Sequence, residues 1–405
     1  MPWDRCTIID LGSPHAAWVA RHVRRAGVLS EIIKGPAATT RPVGVPVGVP
    51  AIIVASPGRE RLAEQLAAEH VADGQARALY LPAHESPSPE VVEVMDSFIT
   101  GVSGHGSPWT VGAFLEQIVP ALQREIEGRR VVLGMSGGID SLVSAVLLDK
   151  AVGHRLHCVL VDNGFLRHGE RSSAEQAFNG LLPGRLRIIE AADRFRCALA
   201  GTPARQRRPL MHMELHRILL QEAQRAGGAD CLAEGIIYSD LLAAQRPLRD
   251  GTDLGFKKNI RPLRLLFKDE VRQLAAILGI PHEAVWREPV PGPGLAVRCV
   301  GEINTSRIEL LREADRILRE EIAQASPSPA PFQSFAVLFP WPGAEGGDAV
   351  CLRIIDSEDG SVTTVTEMPT GLLRSLGTRM TRELPGLRRV VFDLTPKPPG
   401  RVEWQ

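Results

Sequence analysis

The chain has no surplus of charge of either sign: 47 Lys+Arg stand against 47 Asp+Glu, a formal charge of zero. Proteins that coat nucleic acid or anionic membrane usually carry a basic excess, so the balance speaks against both partners. Paired cysteines are also missing. The six cysteines (6, 158, 197, 231, 299 and 351) are dispersed with no C-x-x-C spacing, which removes the usual zinc and dithiol signatures. In a chain of this size they read as reduced thiols of a cytosolic protein. No apolar run reaches transmembrane length, and the opening MPWDRCTIIDLGS is charged where a signal peptide needs apolar residues. A soluble, cytoplasmic protein is expected. The 38 glycines and 31 prolines follow no collagen-like period, and there is no internal repeat. With 44% hydrophobic and 23% charged residues, wholesale disorder is excluded, and 405 residues suffice for two or three domains with their own cores.

What is present is an alternation of short apolar runs and helical stretches. Residues 1–100 read as a small α/β unit: strands at 6–12 (CTIIDLG), LSEIIKG, AIIVAS and ARALYLPA, with helices over 15–27 and 59–70. The Pro/Gly/Val run ATTRPVGVPVGVP reads as a loop, and 99–110 (ITGVSGHGSPWT) as a linker. A second α/β unit over 110–298 follows a helix near 111–127. It has strands at 129–135, 154–164, 185–193 and 231–237, and helices at 141–153 and 205–225. Such alternation implies crossover connections and a doubly wound parallel sheet. From 299 to 405 the order changes to helix (306–324), FAVLF, VCLRII, helix (371–384) and RRVVFDLT, as in a compact α+β domain.

The sharpest feature is Ser136-Gly137-Gly138-Ile139-Asp140-Ser141 between a strand and a helix. Two glycines let backbone approach a phosphate, successive N–H groups can form an anion nest, and the helix N-terminus adds positive potential. Ser136 and Ser141 add hydroxyls, and Asp140 can hold Mg²⁺ against the phosphates. The plain alternative is a tight strand-to-helix turn with a polar cap. A Walker loop is excluded, since it requires G-K-[ST].

The segment resembles the pyrophosphate loop of the N-type ATP pyrophosphatases, which cleave ATP between its α- and β-phosphates to adenylate an oxygen. Within that superfamily the chain resembles GMP synthetase from about residue 1 to 405, with internal deletions. VLVDNGFLRHGE (159–170), RPLRLLFKDEVRQL (261–274), VWREPVPGPGLAVR (285–298) and VVFDLTPKPPGRVEW (390–404) carry the likeness. The resemblance implies an adenine nucleotide alpha hydrolase-like fold between an amidotransferase domain and a C-terminal dimerisation domain. It also implies ATP and Mg²⁺, XMP as acceptor, ammonia as nucleophile, and a homodimer. It places ATP on 136–141, with Val161 and Asp162 beside the adenosine, and makes Asp140 and Ser141 catalytic. XMP contacts fall on Arg167, Asp240, the PGPG loop (Pro291, Gly292, Pro293, Gly294) with Arg298, and Lys397 and Glu403.

The departures from the family are as specific. The amidotransferase region is far too short. Its chemistry needs a Cys nucleophile activated by His, yet the one Cys before position 158 is Cys6. The family's H-P-E turn reads Leu81-Pro82-Ala83-His84, and its oxyanion Ser-Gly-Gly-Pro reads Ala55-Ser56-Pro57-Gly58. Glutamine hydrolysis is therefore expected to be lost, with ammonia taken from solution or from a separate glutaminase subunit. The lid segment, Lys-Ser-His-His-Asn-Val in the family, falls within 241–260 here without a His pair; by position Lys257 or Lys258 would supply its lysine. The family's glycine-rich loop after FAVLF is shortened to PWPGAEGGDAV. His212 and His216 share a helical face, but with no third ligand in register they read as a capped or core pair. Ammonia-dependent amidation of XMP or a close purine nucleotide is the expected activity. Adenylation of another acceptor, as in a specialised-metabolite pathway, and a non-catalytic nucleotide-binding subunit are the alternatives. tRNA thiolation is disfavoured by the zero net charge and the unpaired cysteines.

Overall fold

The computed structural model describes residues 3–35, 49–72, 77–81, 88–103, 108–243, 255–288, 293–327, 330–342, 346–357, 363–397, 400 and 404. The chain divides into two compact units, Met1–Ile118 and Val119–Gln405. In the first, β1 (Arg5–Leu11), β2 (Leu29–Lys34), β3 (Ala51–Ala55) and β4 (Ala78–Leu81) form a parallel sheet in the order β2-β1-β3-β4. The wholly apolar β3 is buried along its length, as a strand covered on both faces requires. Helices α1 (Ala16–Arg25), α2 (Glu60–Ala72) and α3 (Pro89–Val102) complete the unit, and α4 (Val111–Ile126) leads the chain into the second.

The expected linker at 99–110 is thus partly helix. Ser88 caps α3 by accepting from the Val91 N–H at 3.4 Å, and Pro89 sits where its missing N–H costs nothing. Met95, Ile99 and Val102, spaced four and three apart, then prolong one buried face as far as Val102.

The second unit opens with β5 (Val131–Met135), α5 (Ile139–Val152), β6 (Leu156–Asp162), α6 (Glu170–Leu181), β7 (Leu186–Glu190), α7 (Ala192–Leu199) and α8 (Ala204–Arg225). It continues with β8 (Cys231–Ala233), α9 (Tyr238–Ala243), β9 (Lys258–Ile260), α10 (Lys268–Ile277) and α11 (His282–Val285). The strands form an all-parallel sheet, β7-β6-β5-β8-β9. The chain runs outward from β5 on one side and from β8 on the other. Their carboxyl ends therefore flank the crevice where doubly wound sheets bind ligands. The strand expected over 231–237 stops at Ala233, because the backbone of Gly235 is pressed against the first turn of α5.

The remaining elements are α12 (Thr305–Ala325), β10 (Gln333–Pro340), β11 (Asp348–Asp356), β12 (Thr364–Val365), α13 (Thr370–Glu383) and β13 (Leu387–Phe392). β10 and β12 run antiparallel to β11, and β13 runs parallel to it. The expected division at 298/299 does not mark a break between separate cores. Leu311 and Leu318 of α12, Leu338 and Val350 of the mixed sheet, and Val132, Val159 and Leu232 of the parallel sheet belong to one buried cluster. Among the described residues no helix is long and apolar enough to cross a membrane.

Candidate active site

β5 delivers its last residue, Met135, to the crevice, and the chain turns through Ser136, Gly137 and Gly138 into α5. The turn needs glycine at Gly137, whose φ of +76° lies in the left-handed region. A Cβ there would meet the Ala174 Cβ of α6 at 2.7 Å. Gly138, the N-cap, is extended at φ −80° and its Cβ position is open except for Ser136 Oγ at 3.4 Å. The hydroxyls organise the turn from inside. Ser141 Oγ donates to the Gly138 carbonyl at 2.8 Å, Ser136 Oγ donates to Ser141 Oγ at 3.3 Å, and the Gly138 N–H donates to Ser136 Oγ at 3.3 Å. Gly235, just past β8, brings its backbone so close that a Cβ would lie 3.0 Å from both Asp140 C and Ser141 N. The two sides of the crevice thus meet at the N-terminus of α5, where unsatisfied N–H groups favour an anion.

Asp140 projects from the first turn of α5, and both carboxylate oxygens accept from Lys268 Nζ, at 2.8 and 2.9 Å. Lys268 is the first residue of α10, a helix fixed by the Phe267 N–H donating to Glu270 Oε2 at 2.8 Å. One turn further, Arg272 stacks its guanidinium 4.5 Å over the Trp286 ring. Burial lowers the Arg272 pKa, opposed by the charges of Asp140 and Asp269, and its buried Nε has no hydrogen-bond partner among the described residues. Asp240, on α9, accepts the Ile237 N–H at 3.1 Å. Desolvation raises its pKa and that hydrogen bond opposes; the Asp140 charge adds to the rise and Lys268 reduces it. On the neighbouring strand, Val161 is buried and Asp162 accepts the Gly164 N–H at 3.0 Å while pairing with Arg171 at 3.2 Å. Residues 136–141, Val161, Asp162 and Asp240 therefore converge at the carboxyl edge.

The other assignments fare differently. Lys257 and Lys258 lie at the opposite edge: Lys258 is in register with Cys231, itself in register with Val131, the first residue of β5. Lys257 Nζ pairs with Asp230 at 3.0 Å, and Lys258 Nζ donates to the Glu125 carbonyl at 2.8 Å. A catalytic role for either is corrected by this register, and Lys268 takes the position near the loop. The signal for it lies in FKDEVR, since a lysine at a helix start in that segment is a basic group at a fixed place. Arg167 and Arg298 are not presented to a ligand. Arg167 spends its guanidinium on Asp315 (2.6 and 3.0 Å), Glu288 (2.8 Å) and the Ser334 carbonyl (2.9 Å). Arg298 is fully buried, 4.1 Å over the Phe335 ring and 3.8 Å from Asp315. Burial works to raise the Asp315 pKa, but the charges of Arg167, Arg298 and Arg319 outweigh it and hold the carboxyl below its ordinary value.

Pro293 and Gly294 are buried; a Cβ on Gly294 would sit 2.2 Å from the Phe165 carbonyl oxygen, and Leu295 N–H donates to that oxygen at 2.8 Å. Lys397 is half-buried and pairs its backbone with Thr363 at 3.0 and 3.1 Å. Pro291, Gly292, Glu403, the turn at 82–84, residues 244–254 of the lid and 343–345 of the shortened loop lie outside the described residues. His212 and His216 hold their rings 6.5 Å apart, with His216 3.7 Å from Glu234. Among the described residues no three His, Cys, Asp or Glu side chains gather as a metal site. In the first unit Cys6 is buried and desolvation pushes its thiol up to about 12, which leaves no thiolate for nucleophilic attack. Ser56 donates its hydroxyl to the Leu11 carbonyl at 3.0 Å.

Residues 320–404 match the family described as GMP synthase C terminal domain, and residues 111–178 match NAD synthase. The chain is 36% identical over 342 residues to the glutamine-hydrolyzing GMP synthase of Limosilactobacillus reuteri, covering 78% of this chain and 64% of that one. The corresponding protein of Thermosynechococcus vestitus is 36% identical over 351 residues (78% of this chain, 65% of that one). That of Nitratiruptor sp. is also 36% identical over 351 residues, covering 82% of this chain and 68% of that one. The chain spans slightly less than two thirds of the length of the first two relatives. With the ATP-pyrophosphatase type of loop at the crevice and a relative matched over two thirds of its own length, the chain belongs to the GMP synthase family.

Proposed function

We propose that this chain uses Mg·ATP to adenylate the C2 oxygen of XMP and that ammonia then displaces AMP to give GMP. The observation that carries this reading is the loop 136–141 at the α5 N-terminus, with Asp140 and Lys268 paired beside it in a family of GMP synthases. In the first step the XMP oxygen bonds to the α-phosphorus, the bond to the bridging oxygen breaks, and pyrophosphate leaves. The charge that develops on it meets the loop N–H groups and the α5 N-terminus, which are already in place, and Lys268, which stands beside them on Asp140. In the second step ammonia bonds to C2, the C–O bond breaks, and AMP leaves as the nitrogen loses a proton.

Mg²⁺ neutralises phosphate charge and orients the chain of phosphates when bound. The donor set suits it: Mg²⁺ keeps several waters and takes one or two carboxylates besides substrate phosphates, and Asp140 in the first turn of α5 can supply one. Lys268 then turns from Asp140 to the phosphates. The buried, unreactive Cys6 supports ammonia from solution or a separate subunit as the nitrogen source. Assembly as a homodimer belongs to the same proposal.

A second reading keeps adenylation and changes the acceptor. It is favoured by Arg167 and Arg298, two family substrate contacts, being turned inward onto Asp315. Release of AMP and pyrophosphate from ATP, measured with XMP and ammonium and again with XMP and glutamine, tests both. Turnover with ammonium alone is the expected result. No release with XMP, but release with another purine or a non-purine acceptor, would transfer the conclusion to the second reading.

A further inference from the structure

Two adjacent residues, Arg287 and Glu288, reach in different directions and grip separate regions of the second unit. Arg287 donates to the Gly137 carbonyl at 3.1 Å, and to the Ser173 carbonyl and hydroxyl on α6 at 3.2 and 3.1 Å. The gripped carbonyl shares its peptide with the Gly138 N–H. Because that peptide is planar, holding the oxygen also fixes the Gly138 N–H, which donates to Ser136 Oγ at 3.3 Å, and with it the shape of the loop. Glu288 Oε2 accepts from Arg167 at 2.8 Å, and Oε1 accepts from the Ser334 hydroxyl at 3.2 Å and from the Ser334 N–H. Arg167 in turn donates to the Ser334 carbonyl at 2.9 Å and to Asp315 of α12. β10 is an edge strand, and at Ser334 both outward backbone groups are closed by these side chains. Neighbouring Cα atoms are held about 3.8 Å apart, so a displacement taken up by Arg287 is handed to Glu288.

We propose that Arg287 and Glu288 are positioning residues that couple occupancy of the ATP loop to the Arg167–Asp315–Ser334 cluster joining α12 to β10. Filling the loop tightens that cluster, and by reciprocity a ligand that orders the cluster strengthens nucleotide binding. The inference rests on nucleotide binding at the loop, and the test separates the two. Amide hydrogen exchange is followed in the full-length protein for peptides over 134–142 and 331–338, with and without Mg²⁺ and α,β-methylene-ATP. In the wild type both peptides are expected to slow by about fivefold or more, the lower end of measured site-to-site coupling. In Arg287→Lys and in Glu288→Gln the first peptide keeps its protection and the second loses it, with melting temperatures near wild type. Glu288→Asp, which retains the charge, restores some of the response. Protection of the loop with no response in 331–338 of the wild type, or a response that survives in both variants, overturns the coupling and leaves the proposed function intact. No protection at either peptide overturns both.

Discussion

Replacing each loop glycine by alanine separates the folding role of the turn from its phosphate role. At Gly137 the left-handed φ of +76° costs an L-residue about 1–2 kcal/mol. The added Cβ also falls 2.7 Å from the Ala174 Cβ, well inside the ~3.5–4.0 Å of an unstrained carbon pair. Relieving that clash by moving α6 or the loop costs about 1–3 kcal/mol. Gly137→Ala should therefore lose about 2–5 kcal/mol of stability, a fall of roughly 5–15 °C in melting temperature. Gly138 is already extended, and its nearest neighbour to a new Cβ is Ser136 Oγ at 3.4 Å. Gly138→Ala should thus fold with stability within about 1 kcal/mol of wild type, the difference reflecting alanine as the poorer N-cap. Its methyl group, however, stands on the open side of the loop. Displacing the phosphates by about 1 Å should lower turnover by about 10²-fold. Calorimetric melting and pyrophosphate release, measured on both variants, read the two effects independently. If Gly138→Ala melts early with normal turnover, or Gly137→Ala melts like wild type, the assigned faces of the loop are wrong.

Lys268→Met removes the cation beside Asp140 and should reduce pyrophosphate release by about 10²–10³-fold, whereas Lys257→Met and Lys258→Met, at the far edge, should stay within about threefold of wild type. A loss at either distant lysine equal to that at Lys268 would refute the register-based assignment. Asp315→Asn takes a buried carboxylate away from the Arg167 and Arg298 guanidinium groups and should cost about 3–5 kcal/mol in urea unfolding. Because the native Asp315 pKa lies below its unfolded value near 3.9, wild-type stability is full above that pH and falls as acid titrates the carboxyl; the Asn variant should lack that component of the slope, and an identical acid dependence would refute it.

The legible regions of this molecule are those set by local physics. VVLGM and HCVLVD announce buried parallel strands by continuous apolar composition, and SGGIDS announces a tight strand-to-helix turn by its glycines and the helix start that follows. The family likeness added Asp162, the last residue of β6, and Asp240, on α9 soon after β8. What escaped depends on distance along the chain. Lys268 meets Asp140 across 128 residues, and no spacing rule reveals that contact. Lys257 and Lys258 look equally suitable on paper; they fail because β9 starts where they stand, and a parallel strand's start lies a full strand length from the ligand edge. Arg167 shows the limit from another side. A charged residue just after a strand end reads as a ligand contact, but its fate depends on Asp315, which lies on a helix beyond the parallel sheet. Burying an arginine is tolerable only with its charge and donors matched, and here two carboxylates and a carbonyl do so. Basic side chains thus stand beside the loop at Lys268 and inside the fold at Arg167, and the difference is made by which carboxylate the fold brings to each.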